Sequence, residues 1–360
     1  MNERFPFDRT EVLRLGGKAR TLCALAALAV LPVVASAASP VTAVATDSTP
    51  VGENGVASAG ETLIAPGANL GMWVWRAEPL SDPQEREALI AFCRELGISR
   101  IFVQVRFDKE AGAYQLSNTE DWVALMAMAR EAGISVEALD GAGDMGFAAN
   151  RADTLARLDA VLAFHAAQPD EAGFSGFHYD IEPYVTKRWK TSDKKQVALE
   201  LLETMRAIDD KVKAVDPELT ITHDIPFWYN GREELAVEFG GSTKFLDEHI
   251  QDLSDGIGIM SYRTKMTGGN SVVDISSEEL DYARQTGGSV YLSLETVTLD
   301  ETPSITFHGR EGSELIAAVR ELNAALAGDP AFAGINLHCY RTLRPMLEPK
   351  PPATDSASEG

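Results

Sequence analysis

Two carboxylates two residues apart, Asp180 and Glu182, end the run Phe-Ser-Gly-Phe-His-Tyr-Asp-Ile-Glu-Pro-Tyr at 174–184. Side chains at i and i+2 of a strand share a face, so both acids leave the strand end in the same direction. Two acids held together repel, which favours retention of a proton by one of them. Such a pair offers a general acid beside a charged stabiliser. A lone pair of this kind also serves as a helix cap or surface ion pair. Its meaning therefore depends on where the strand sits in the chain.

Short apolar strand patterns alternate with amphipathic helix patterns through most of the sequence. Strands are expected at 71–76, 100–107, 135–140, 174–182, 219–227, 256–262, 289–296 and 334–340. Helices are expected between them at 83–96, 119–132, 152–167, 192–215, 233–253, 276–285 and 311–326, the sixth-strand approach at 233–253 being interrupted by Gly240-Gly241. Eight strands alternating with helices over about 280 residues predict an α/β fold, the (β/α)8 TIM barrel. A doubly wound open sheet would carry a Gly-rich phosphate loop after its first strand; none stands there.

Barrels of this kind place their active sites at the carboxyl ends of the strands. The polar and aromatic residues expected there are Trp75, Arg76, Gln104, Arg106, Asp140, His178, Asp180, Glu182, His223, Asp224, Trp228, Met260, Tyr262, Arg263, Tyr291, Glu295, His338, Tyr340 and Arg341. Carboxylates, arginines and aromatic rings at one mouth suit a sugar. Acids protonate the leaving oxygen and stabilise an oxocarbenium-like charge, while rings stack on sugar faces. Trp73 or Trp75 is expected in a stacking platform. The loops 264–274 and 298–310 leave the same side and are expected to form a subsite wall or lid.

The chain resembles two groups of barrel glycoside hydrolases. Family 18, the chitinase-like enzymes, ends its fourth strand in D-x-x-D-x-D-x-E. Asp180 and Glu182 match the last two acids, while Ser175 and His178 replace the others. Met260-Ser261-Tyr262 matches that family's sixth-strand motif, with Arg263 in place of its Asp. By this resemblance Glu182 is the general acid, Asp180 orients a substrate N-acetyl group and Tyr262 assists. The retaining clan that includes cellulases and β-galactosidases carries Asn-Glu-Pro on strand 4 and Glu on strand 7. Ile181-Glu182-Pro183, Glu295, Arg106 and Tyr262 match in part; His338 and Tyr340 stand where that clan has Trp. By this resemblance Glu182 is the acid/base and Glu295 the nucleophile. Between them they put catalysis on Glu182, Asp180, Glu295 and Tyr262; they agree on Glu182 and differ on its helper, Asp180 or Glu295. Substrate contacts are expected from Trp75, Arg76, Arg106, Asp140, His178, Asp224, Trp228, His338 and Tyr340. No cofactor and no metal are implied. The alternatives are a non-catalytic carbohydrate-binding barrel, and a metal-dependent barrel hydrolase using His178, Asp180, Glu182, His223, Asp224, Glu295 and His338.

Composition bounds the partners. The 360 residues carry a formal net charge of −22, which disfavours nucleic acid and anionic lipid. Arg14, Lys18 and Arg20 precede an apolar stretch at 21–34 and the small residues Ala35-Ser36-Ala37. This pattern predicts an export signal at 1–37 and a periplasmic or extracellular protein without stable membrane insertion. A flexible leader is expected at 38–64, the catalytic barrel at 65–347 and a disordered tail at 348–360. The expected ligand is a polysaccharide or oligosaccharide. Cys93 and Cys339 are expected to be buried thiols, with a disulfide between them possible after export.

Overall fold

The computed structural model describes residues 68–76, 78–169, 172–299 and 302–348. The expected signal and leader, and all of the expected tail beyond Glu348, lie outside them. In chain order the first half comprises β1 (Leu70–Val74), α1 (Glu78–Ser81), α2 (Pro83–Leu96), β2 (Ile98–Gln104), β3 (Phe107–Glu110), β4 (Ala113–Leu116), α3 (Thr119–Glu131), β5 (Ser135–Asp140), α4 (Arg151–Ala166) and β6 (Gly176–Tyr179). The second half comprises α5 (Lys187–Thr191), α6 (Lys194–Val215), β7 (Thr220–Pro226), β8 (Val237–Phe239), β9 (Ser242–Lys244), α7 (Leu246–Leu253), β10 (Gly256–Met260), α8 (Val272–Ile275), α9 (Ser277–Thr286), β11 (Val290–Glu295), α10 (Gly312–Leu326), β12 (Phe332–His338) and α11 (Tyr340–Leu347).

Eight parallel strands close into a barrel in the order β1-β12-β11-β10-β7-β6-β5-β2. This is the expected TIM barrel, and its helices cover the outside. Local chemistry explains their limits. Asp82 caps α2 by accepting from the Gln84 and Glu85 amides, Pro83 opens the helix, and Gly97 ends it at φ 74°. Asp193 caps α6, a 22-residue helix whose buried stripe includes Val197, Leu201, Met205, Ile208 and Val212.

The helix expected at 233–253 is instead a hairpin followed by a short helix. Gly240 and Gly241 adopt φ 61° and 84°, the left-handed pair a two-residue hairpin turn requires. They join β8 to β9, and α7 starts only at Leu246. A second hairpin, β3–β4, occupies the connection after β2 and turns at Ala111-Gly112, with φ 50° and 88°.

The two cysteines remain separate thiols. Cys93 packs into the core from the buried face of α2, whereas Cys339 joins Trp73, Phe102 and Leu139 in a distinct cluster.

Inside the barrel, a chain of charged groups takes the place of a purely apolar filling. The Arg100 guanidinium donates to Glu137 at 2.9 Å. His178 lies between Glu137, 3.1 Å from Nδ1, and Asp224, 2.8 Å from Nε2. Trp73 donates its indole N–H to the same Asp224 oxygen at 3.2 Å. Phe102 stacks on the imidazole with centroids 3.8 Å apart. Glycines make the room: a Cβ on Gly258 would collide with Asp224, and one on Gly71 with Asn336 and Phe102.

Burial opposes charge on His178, yet the flanking Asp224 and Glu137 carboxylates raise its pKa to about 9. Burial likewise opposes ionisation of Glu137, but Arg100 and His178 hold its pKa below the usual carboxylate value. His178 is thus an imidazolium that donates from both nitrogens. An ordinary histidine titrates near 6.5, so the raised folded value stabilises the protein fully below that pH. The contribution is lost as pH rises through about 9. His178→Ala should cost about 3–5 kcal/mol, because it leaves two buried carboxylates facing one cation. Urea denaturation should show this cost at pH 6, and a smaller difference from wild type above pH 9.

Candidate active site

The strand carrying the acids is shorter than the sequence pattern suggested. β6 ends at Tyr179, and residues 180–182 continue upward before a single 3-10 turn at Pro183–Val185. The alternation persists: His178 points into the barrel, and Asp180 and Glu182 follow on the same face above it. Both acids are largely buried, with 9% and 4% of their surface exposed. Their backbone is braced by the loop after β5. The Asp180 amide donates to the Asp140 carbonyl at 3.0 Å. Gly141 lies so close to the Asp180 carbonyl that a Cβ there would collide with it, and a Cβ on Gly143 would crowd the Glu182 carbonyl.

Two tyrosines absent from the sequence expectations accompany the acids. Tyr184 donates its hydroxyl to Glu182 Oε1 and lies 3.7 Å from the Met260 sulfur. Tyr229 is buried with no hydrogen-bond partner for its hydroxyl among the described residues. Burial raises its pKa well above the phenol value, and the charges of Glu182 and Asp180 raise it further; its ring stands 6.1 Å from that of Tyr184, the partner of Glu182. Trp228 packs edge-on against Tyr184 and Tyr229, with centroids 5.2 and 5.0 Å away. Trp189 completes this aromatic wall. The signals for the tyrosines lay just past the strands: Tyr184 extends the alternation of 180 and 182, and Tyr229 follows the expected Trp228.

A second polar chain spans the mouth at β11, β12 and β1. Trp75 donates from Nε1 to His338 Nε2 at 2.8 Å, and His338 Nδ1 meets Glu295 Oε1 at 2.9 Å. An indole nitrogen only donates. His338 Nε2 therefore accepts, and Nδ1 carries the hydrogen given to Glu295. The same Glu295 oxygen accepts from the Val297 amide at 2.8 Å. Tyr262 lies tilted beside His338 at 6.4 Å between centroids.

The structure thus brings together Asp180, Glu182 and Trp228, and separately Glu295, His338, Trp75 and Tyr262. His178 and Asp224 lie lower, in the charged interior, with 0% and 2% exposure. Asp140 faces outward and pairs with Arg157 of α4; its pKa is pushed up to about 6, burial outweighing that arginine. His223 also faces outward, stacked on Tyr179, and burial followed by the His178 charge pushes its pKa down to about 3. Tyr340 opens α11 rather than closing a strand and packs against Phe92. Arg76 and Arg106 are exposed on the rim. Arg263 is directed onto Asn270 and the Tyr262 carbonyl. Trp73 and Trp75 share the inward face at two depths: Trp73 is the floor, 1% exposed, and Trp75 stands above it, half-buried.

The two long loops clasp each other. The Thr264 amide and hydroxyl donate to the Ser304 carbonyl, and Arg310 donates to the Thr264 hydroxyl. Among the described residues no group of three His, Cys, Asp or Glu side chains is placed to hold a metal ion.

No protein-family model matches this chain, and no curated protein matches it in sequence. Its fold is similar to that of a β-galactosidase from the Antarctic haloarchaeon Halorubrum lacusprofundi, with TM-score 0.50 and 10% identity over 75% of this chain and 52% of that one. Other similar structures are a GH18 chitinase from Pseudoalteromonas aurantia and the spore cortex-lytic enzyme SleL of Bacillus cereus. The former gives TM-score 0.48 and 14% identity over 76% of this chain and 94% of that one. The latter gives TM-score 0.47 and 9% identity over 76% and 71%. These are barrel glycoside hydrolases, and at such identities the likeness is one of fold.

Gly141→Ala tests the brace beneath the acids. It should destabilise the protein by about 1–3 kcal/mol through overpacking. A structure of the variant should show the Asp180 backbone displaced away from position 141, with the β11–β12 side of the mouth unchanged.

Proposed function

We propose that this chain is a glycoside hydrolase-like enzyme acting on a polysaccharide or oligosaccharide, with Glu182 as general acid. The observation that carries the reading is the adjacency of two buried carboxylates, Asp180 and Glu182, at the carboxyl end of β6, against an aromatic wall. Glu182 would give its proton to the glycosidic oxygen. Tyr184 fixes the carboxyl through Oε1, and the other oxygen would carry the proton. Asp180 would stabilise the positive charge that grows on the anomeric carbon as the bond breaks.

The arrangement supports Asp180 rather than Glu295 as the partner. Glu295 Oε1 accepts from both Val297 and His338, a commitment suited to holding His338 and, through it, Trp75. Glu295 is then a positioning residue and Trp75 part of the sugar platform. The reading takes 65–347 as the catalytic unit and includes export directed by 1–37. No helix among the described residues is long and apolar enough to cross a membrane.

Reducing-sugar release from a panel of chitin-like, β-glucan and uronate polymers tests the assignment. Wild type should release sugar from at least one of them. Glu182→Gln should lower turnover by about 10²–10⁴-fold, the range general acid catalysis contributes, and Asp180→Asn should also act mainly on kcat. Glu295→Gln should act mainly on KM. Equal release by wild type and Glu182→Gln would remove the proposal.

A further inference from the structure

The residues that carry Asp180 and Glu182 are flanked by two other segments. One is the loop between β5 and α4. A Cβ on Gly141 would collide with the Asp180 carbonyl, and one on Gly143 would crowd the Glu182 carbonyl, Val185 and Thr186. A Cβ on Gly146 would collide with Leu201 of α6 and touch Ile181. The other segment is α5, reached from Glu182 through the Pro183–Val185 turn and only five residues long. A helix of that length does not hold itself in water, yet it carries Trp189 of the aromatic wall.

Both segments meet one carboxylate, Glu200 of α6, which is buried. Its Oε1 and Oε2 accept from the Arg188 guanidinium of α5 at 2.5 and 2.6 Å. This is the two-bond fork that suits an arginine to a carboxylate. Glu200 Oε2 also accepts from the Ala148 amide, in the loop, at 2.9 Å. Gln196, one turn earlier on α6, donates to Oε1 at 3.3 Å. The Arg188 guanidinium lies 4.5 Å from the centroid of Phe147, again in the loop. The bonds from Arg188 outweigh burial and push the Glu200 carboxyl down to about 2, so the contact stays charged at any ordinary assay pH. Resting on the reading of Glu182 as general acid, we propose that Glu200 is a positioning residue for it, latching α5 and the β5–α4 loop to α6 on either side of the acid-bearing residues.

The latch acts on the two acids unequally. Asp180 stands one residue beyond β6 and is tied through its amide to Asp140 at 3.0 Å. Glu182 stands at the turn that leads into α5, so release of α5 and the loop falls on Glu182. A displacement of about 1 Å can cost about 10²-fold where a reaction depends on alignment. That cost appears only where the proton is needed. When a sugar leaves, the Glu182 proton passes to the glycosidic oxygen as its bond to the anomeric carbon breaks. A 2,4-dinitrophenolate departs as the stable anion and takes no proton from Glu182.

The test compares two substrates on each preparation of the full chain. One is the oligosaccharide that wild type cleaves among the chitin-like, β-glucan and uronate sets; the other is the 2,4-dinitrophenyl glycoside of the same sugar. The ratio of the two rates does not depend on how much of a variant is folded. Glu200→Ala should lower kcat on the oligosaccharide about tenfold or more, and on the dinitrophenyl glycoside by about threefold at most. Glu200→Gln keeps the side-chain length and one acceptor, and should fall between Glu200→Ala and wild type. Arg188→Gln opens the latch from the other side and should show the same contrast, with the double variant no worse than Glu200→Ala. Lys211→Gln breaks the ion pair with Asp159 that joins α6 to α4, and should change neither rate. Equal losses on both substrates in Glu200→Ala, or no loss on either, would overturn the positioning role. The general-acid reading would still stand if Glu182→Gln showed the contrast. A Glu182→Gln variant without it, or a wild type that cleaves neither substrate, would overturn both.

Discussion

Burying a guanidinium, two carboxylates and an imidazole at the centre of a barrel is tolerable only if they neutralise one another. Arg100, Glu137, His178 and Asp224 do so in sequence, with each link a direct hydrogen bond. Much of the upper barrel follows from this chain. Asp224 receives the indole of Trp73, which sets the floor of the mouth. His178 stacks on Phe102 and fixes the inward face of β6. Two residues further on, that face delivers Asp180, and four residues further on, Glu182. The charged interior and the candidate acids are thus one register seen at two depths.

The mouth has a similar division of labour. On the β6–β7 side, acids and aromatic rings stand together, and Tyr184 holds Glu182 in one orientation. On the β11–β12–β1 side, a carboxylate is spent on orienting a histidine, which in turn holds a tryptophan. Preorganisation of this kind removes the cost of arranging polar groups during a reaction. It also assigns different work to two glutamates that look equivalent in one dimension: Glu182 is held by a phenol, while Glu295 serves its neighbours.

The barrel itself was legible because its signals are periodic and repeated. All eight barrel strands lie within the expected segments or within two residues of them, as at 135–140, where the expectation and β5 coincide. The hairpins were harder to see. β8 and β9 contain three residues each, too few for alternation to declare itself, and their polar flanks read equally well as helix. The Gly240-Gly241 pair is visible, but from sequence alone a left-handed turn and a break in a helix look the same. Among site residues, alternation gives a face but not a depth. It puts His178 and Asp180 on one face, yet cannot tell that His178 lies deeper, fully buried and edge-on to Trp73. It could not foresee that Asp140 turns outward to Arg157, or that Tyr229 comes against Tyr184, because those contacts depend on which loop folds over which strand.

The most direct measurement is a crystal structure of the Glu182→Gln protein with the oligosaccharide it retains. The account predicts a glycosidic oxygen within about 2.6–3.2 Å of the side chain at position 182. The adjoining ring should lie over Asp180, with further sugar residues extending toward Trp75. An oligosaccharide seated away from β6, with neither Asp180 nor position 182 in contact, would contradict it.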